Sequence, residues 1–398
     1  MDCVNENMLK ITRYELLEKL PDPFVFEDGH RIQTPEEWNH RRCEIYKSAV
    51  ELQYGTIAPN PEFLEVEATY IGGKGQSSSY RITTGTKQNP VSFSFQLYLP
   101  SSRAFDYKSG KLPPVIVDGD LCFGALHKPY YVENEPHKQG VALAVFDRTE
   151  LAHDVQGEGR RQGQLYRTYP DYTFGAIGAW AWGYSRVVDA LEILGLTDPD
   201  TVIFTGHSRG AKTAALAGVL DQRATIVNPN ASCAGACGCY RLHIEASYEE
   251  GATQRSETLE DLWGAFPFWI GEGMAEYAEN EAALPFDSHM LKAMIAPRTL
   301  FISEAAGDVW SNPVGSWQTT LAAGEVFDFL GVPENLFWYF RPGNHKHTAT
   351  DMQMLINIIK HKTEGEPLDE KFFKLPFKPT EPIYDWRSPN KETKEKTI

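Results

Sequence analysis

At 398 residues, 42% hydrophobic and 12% aromatic, the chain is long enough to bury a large core, as one α/β domain with insertions or as several average domains. A formal net charge of −16 argues against nucleic acid or an anionic membrane as partner and favours neutral ligands, or small anions held by a local basic pocket. No apolar run approaches the ~20 residues of a membrane span, and the first eight residues lack the basic and apolar regions of a signal peptide. As it stands the sequence reads as cytoplasmic, or as secreted or periplasmic if a leader was removed.

In chain order, helical patterns cover residues 14–20 and 34–52, separated by Pro21-Asp22-Pro23; Pro35 after Thr34, with Glu36 and Glu37 in the first turn, marks a helix start. Residues 63–71, 78–84 and 90–98 carry the alternation and β-branched or aromatic content of strands. Strands at 113–117 and 140–146 are followed by strand–helix alternation: a long helix at 176–194, strands at 201–205, 225–227, 299–303 and 336–340, and helices at 316–330 and 349–360. Apolar strands alternating with helices predict a mostly parallel, doubly covered sheet, a three-layer α/β/α arrangement with an N-terminal extension. The expected organisation is a helical extension over 1–60, a catalytic domain over 61–362 and an extended surface arm over 363–398. The 21 Phe, 18 Tyr and 9 Trp exceed the needs of a minimal core, and some are expected to line a carbohydrate-sized cleft. Cys233, Cys237 and Cys239 lie too close together for a disulfide framework and have no second Cys/His pair at zinc-finger spacing. No metal and no cofactor is expected.

Gly206-His207-Ser208-Arg209-Gly210 stands between the apolar run Thr201-Val202-Ile203-Phe204-Thr205 and the helical run beginning Ala211-Lys212-Thr213. Strand, G-x-S-x-G turn and helix form the context of a nucleophile elbow, in which Ser208 is presented at a helix N-terminus that favours developing negative charge. The bland alternative is an ordinary N-cap serine. A serine nucleophile needs a base, and the base an orienting acid; in the α/β-hydrolase order both follow the serine, acid first. His345 follows the strand at 336–340 in the loop Arg341-Pro342-Gly343-Asn344-His345-Lys346-His347, with His347 as the alternative base. Asp308 follows the strand at 299–303, with Glu304 as the alternative acid. Arg209 is placed to add donors to an oxyanion, and Lys212, one helical turn beyond Ser208, to reach a substrate hydroxyl.

With these residues the chain resembles the glucuronoyl esterase family of carbohydrate esterases (family 15), in particular its bacterial branch. Gly206, Ser208, Arg209 and Lys212 match the family elbow G-C-S-R-x-G-K, while His207 replaces its Cys and Ala211 its second Gly. Leu20-Pro21-Asp22-Pro23-Phe24, Ala179-Trp180-Ala181-Trp182-Gly183, Glu257-Thr258-Leu259-Glu260, Leu284-Pro285-Phe286-Asp287 and Ala296-Pro297-Arg298 also look like family segments, so the likeness spans roughly residues 20–360. The resemblance implies an α/β-hydrolase fold and cleavage of esters of (4-O-methyl-)glucuronic acid, such as those joining xylan to lignin alcohols. It implies Ser208 as nucleophile, His345 as base, Arg209 at the oxyanion, Lys212 and Glu257 on sugar hydroxyls and Trp310 facing substrate. The family's usual catalytic Glu, in a P-Q-E-S segment, is absent: the segment reads Pro229-Asn230-Ala231-Ser232, which leaves the acid to the later strand, where Asp308 sits. The fungal disulfide beside nucleophile and base cannot form, since His207 and Lys346 occupy those places. The expected partner is a small-molecule or oligosaccharide uronate ester. Two other functions fit the same residues: an acetyl or other carbohydrate carboxylesterase, and a catalytically weak carbohydrate-binding relative.

Overall fold

The computed structural model describes residues 9–73, 76–120 and 135–391. Its strands, in chain order, are β1 (Lys10–Leu16), β2 (Phe63–Tyr70), β3 (Ser77–Gly85), β4 (Pro90–Tyr98), β5 (Val115–Asp118), β6 (Ala142–Phe146), β7 (Val202–His207), β8 (Ala224–Asn230), β9 (Leu242–Ser247), β10 (Gln254–Arg255), β11 (Thr299–Ala305) and β12 (Leu336–Arg341). Among the described residues, nine form one sheet in the order β12-β11-β8-β7-β5-β6-β4-β3-β2. The six strands from β12 to β6 run parallel, and β4, β3 and β2 join antiparallel. Burial follows that division. β5 and β6 are buried at every residue, as strands covered on both faces must be, whereas β4 alternates buried and half-buried positions.

The parallel strands end level with one another. His207 of β7 pairs with Asn230 of β8, Asn230 is level with Ser303 of β11, and Ala305 of β11 pairs with Arg341 of β12. The loops that follow therefore gather along one edge, the place where open parallel sheets bind ligands. Buried polar side chains tie these strands together just beneath it. Thr205 Oγ1 donates to Asn228 Oδ1 (3.0 Å), and the amides of Asn228 and Asn230 both donate to Ser303 Oγ (3.0 and 2.9 Å).

Two terminal segments depart from the sequence reading. Residues 14–20 carry helix-forming Glu, Leu and Lys, yet β1 runs through Leu16, pairing Tyr14 with Ile244 and Leu16 with Leu242. The partner β9 offers an amphipathic edge of alternating burial, and pairing to it overrides local propensity. The expected surface arm at the C-terminus is extended but largely covers the core. Phe377, Ile383, Tyr384 and Trp386 are buried, Trp386 Nε1 donates to the Leu20 carbonyl (2.8 Å), and Leu20 N donates to the Ile383 carbonyl (3.0 Å). The predicted helix start at Pro35 is present, with Glu37 accepting from the Thr34 amide (3.0 Å).

Candidate active site

The turn after β7 is tight for an identifiable reason. Ser208 has φ 57° and ψ −119°, a conformation L-residues rarely adopt, and its carbonyl accepts from Ala211 N and Lys212 N at 3.0 and 3.1 Å. A Cβ on Gly206 would lie 2.4 Å from the Gly210 carbonyl oxygen, and one on Gly210 would lie 2.5 Å from Asp120 Oδ1. The first glycine lets the helix fold back on the strand; the second leaves room for a carboxylate. That carboxylate, through Oδ2, accepts the His207 amide at 3.2 Å. The helix Arg209–Leu220 thus begins directly behind Ser208, with the unpaired donors of its first turn facing the serine end.

On the neighbouring strands, Asp308 lies three residues beyond β11 and His345 four beyond β12. Asp308 Oδ2 stands 2.6 Å from His345 Nδ1. Asp308 is 2% exposed and is fixed by Ser311, whose hydroxyl donates to Oδ2 (2.6 Å) and whose amide donates to Oδ1 (3.3 Å). The His345 side chain is 36% exposed, so its remaining edge is open to an incoming group. Arg341 stitches its loop together, donating from Nε to Asp351 Oδ2 (2.7 Å), from Nη2 to the Asn344 carbonyl (3.1 Å), and to the Lys346 carbonyl. His207, directly before Ser208, brings the elbow against this pair: its ring centroid is 4.6 Å from that of His345 and 5.7 Å from that of His347. Its Nδ1 donates to Asn230 Oδ1 at 2.7 Å, and burial, with His345 adding to the effect, pushes its pKa down to about 4. His207 is therefore a neutral packing surface for His345. His347 packs on His207 and lies outside the Asp308 contact.

Glu304, the alternative acid, projects into the interior. Its Oε1 accepts from Ser316 Oγ (2.7 Å), and burial, reinforced by Asp308, raises its pKa to about 8. The folded protein thus holds a proton that the unfolded chain, with Glu near its ordinary 4.5, has released. Stability should fall as pH rises from about 4.5 through about 8. Glu304→Gln should leave kcat within about threefold and flatten the alkaline side of the Tm–pH curve. A loss of turnover comparable to that of an Asp308 variant would make Glu304 part of the chemistry.

Arg209 is held from two sides. Its Nη1 donates to both oxygens of Asp154 (3.1 and 3.0 Å), and its guanidinium lies 4.5 Å from the Trp269 ring centroid and 5.2 Å from that of Phe266. Those two rings stack face to face at 3.9 Å. Lys212 is buried; its Nζ donates to the Ser232 carbonyl and lies 3.4 Å from Glu257 Oε2. Burial pushes the Glu257 carboxyl above the usual range, with Lys212 opposing the shift. Glu257 N donates to the Trp310 carbonyl (3.0 Å), and Trp310, 39% exposed, lies under Arg255. Lys212, Glu257 and Trp310 thus form one connected group beside the elbow helix. Ala231, at the position where the resemblance led us to expect a Glu, has φ 51° and donates its amide to the Ser303 carbonyl (3.0 Å). Cys233, Cys237 and Cys239 are buried free thiols.

Sequence reasoning did not find Ser311, Asp154, Asp120 or Asn230. Ser311 had a readable signal, since an Asp three residues before it in Asp308-Val309-Trp310-Ser311 is a turn-capping pattern. The others reach the site only through the fold.

The family model "Glucuronyl esterase, fungi" matches residues 82–331. The 4-O-methyl-glucuronoyl methylesterase of Schizophyllum commune is 31% identical over 342 residues, covering 84% of this chain and 79% of that protein. The chain belongs to the glucuronoyl esterase family. A family 15 glucuronoyl esterase from Caldicellulosiruptor kristjansonii superimposes with a TM-score of 0.79 at 28% identity, covering 94% of this chain and 97% of that one. A glucuronoyl esterase mutant from Sporotrichum thermophile, solved with methyl 4-O-methyl-β-D-glucopyranuronate, superimposes with a TM-score of 0.71 at 25% identity, covering 92% and 93%. The shared architecture is the α/β-hydrolase fold. Among the described residues no helix is long and apolar enough to cross a membrane.

Proposed function

We propose that this glucuronoyl esterase family member hydrolyses esters of glucuronic acid, 4-O-methylated or not, through Ser208, His345 and Asp308. The observation that carries the reading is the Asp308–His345 contact of 2.6 Å, set across the ends of β11 and β12 from the Ser208 elbow. His345 Nε2 takes the Ser208 proton as Oγ attacks the ester carbonyl carbon, while Asp308 holds Nδ1–H and stabilises the imidazolium. The carbonyl electron pair moves onto oxygen, where the first-turn amides of the elbow helix and the Arg209 guanidinium meet it. Collapse of the tetrahedral intermediate expels the alcohol, which takes the proton back from His345. A water, deprotonated by the same imidazole, then releases the uronic acid from the acyl-enzyme.

Lys212 and Glu257 are assigned to sugar hydroxyls, and Trp310 to an apolar wall. A site built to pair hydroxyls leaves buried polar groups unmatched when the ligand lacks them. Lys212→Ala should lower kcat/KM for methyl glucuronate by roughly 10- to 100-fold, the value of one charged hydrogen bond at about 1.5–3 kcal/mol. Turnover of p-nitrophenyl acetate, which has no sugar, should change far less. Equal losses on both substrates would make Lys212 structural or part of the oxyanion site. A wild-type enzyme that prefers the acetate would replace the uronate reading with that of a general carboxylesterase.

A further inference from the structure

In the main sheet β7 stands between two groups of strands. The acid–base pair arrives from β11 and β12 on one side; on the other, β5 and β6 end in a buried set of charges with no part in the reaction so far. Its centre is Arg148, fully buried in the short turn after β6. The Arg148 guanidinium is paired with Asp120 Oδ1, lies 3.4 Å from Asp154 Oδ2, donates to the Gly119 carbonyl (3.3 Å) and sits 4.8 Å from the Trp180 ring centroid. Its two carboxylate partners face different parts of the site. Asp120 receives the His207 amide and fills the space left by Gly210, so it touches the backbone on both sides of Ser208. Asp154 receives Arg209 through both oxygens, and Trp269 Nε1 at 2.9 Å.

We infer that Arg148 is a positioning residue for the esterase reaction: one guanidinium, by holding Asp120 and Asp154 together, sets the serine elbow and the Arg209 side chain in register. The inference rests on the reading of Ser208 and Arg209 given above. Two physical reasons support it. A planar fork can serve two carboxylates at fixed angles, whereas an ammonium cannot. Arg148 is also a buried positive charge beside two carboxylates, and without it Asp120 and Asp154 lose a cationic partner close to the position where the oxyanion forms. The penalty should therefore fall on the transition state more than on substrate binding.

The test is a double-mutant cycle on the full chain, with kcat and KM measured on methyl glucuronate for Arg148→Met, Arg148→Lys, Arg209→Met and the Arg148→Met/Arg209→Met pair. Arg148→Met should lower kcat by about 30- to 100-fold with KM within about threefold, the scale of a small misplacement of catalytic groups. Arg148→Lys should recover part of that loss. In the Arg209→Met background, removing Arg148 should cost at least about threefold less than it does in the wild type, because one of the two groups it positions is gone. Full multiplication of the two losses, or a loss confined to KM, overturns the inference. If Arg148→Met does not fold, Arg148→Gln takes its place in the same cycle, with the same criterion. Ser208→Ala separates the two levels of argument: full activity in that variant removes the serine reading itself, whereas an inactive Ser208→Ala with additive Arg148 and Arg209 losses removes only the role of Arg148.

Discussion

Ser208→Ala and His345→Ala should each lower kcat on methyl glucuronate by about 10³-fold or more, and the double variant should be little worse than either single one. The non-additivity is the informative part. Without the Ser208 hydroxyl the imidazole has no proton to take, and without the imidazole the hydroxyl stays a weak nucleophile at neutral pH. What survives in each case is the same, namely binding and the oxyanion donors. His347→Ala supplies the control: it packs on His207, and Asp308 is bonded to His345. Near wild-type turnover in His345→Ala, with loss in His347→Ala, would move the base two residues along the loop.

Asp308→Asn should cost about 10⁴-fold in kcat, with KM much less affected. The amide is nearly isosteric, so it can keep the Ser311 contact and the turn. It removes the negative charge that stabilises the imidazolium, and it lets the ring settle in a tautomer that presents N–H toward the serine. Ala231 has no side-chain group to take over, and Glu304 is engaged with Ser316 inside the protein. A variant that keeps more than a tenth of wild-type kcat would show that Asp308 does not orient the base.

Much of the sheet could be read from the chain because its parallel strands are short, apolar and bounded by turns. β4 and the helix Ala176–Leu194 fall on the expected residues. The elbow was legible because its chemistry is local: two glycines and a serine between a strand and a helix. The pairing of Asp308 with His345 could be anticipated from strand order, since each follows a strand end. The small sheet was not legible. β1 carries helix-forming residues and is a strand only because β9 lies beside it, 226 or more positions away in sequence along the paired register from Leu16 to Leu242. Asp120, Arg148 and Asp154 look like ordinary surface charges in sequence. Their burial follows from where β5 and β6 end, which no local pattern records. The C-terminal segment misled for the opposite reason: prolines and charges dominate it, while Phe372, Phe377, Ile383, Tyr384 and Trp386 do the packing.

The backbone of Ser208 bears on how such a chain would evolve. An L-residue held at φ 57° and ψ −119° costs about 1–3 kcal/mol, a sizeable share of a typical net stability of about 5–15 kcal/mol. Glycine would relieve most of that cost with no loss of packing. A lineage released from turning over esters would therefore drift toward glycine there and grow sturdier, as proteins do when an active-site compromise is no longer selected. The serine is the residue that thermal stability alone would discard, and its presence in so unfavourable a conformation argues for an enzyme that still works rather than a retired binding scaffold.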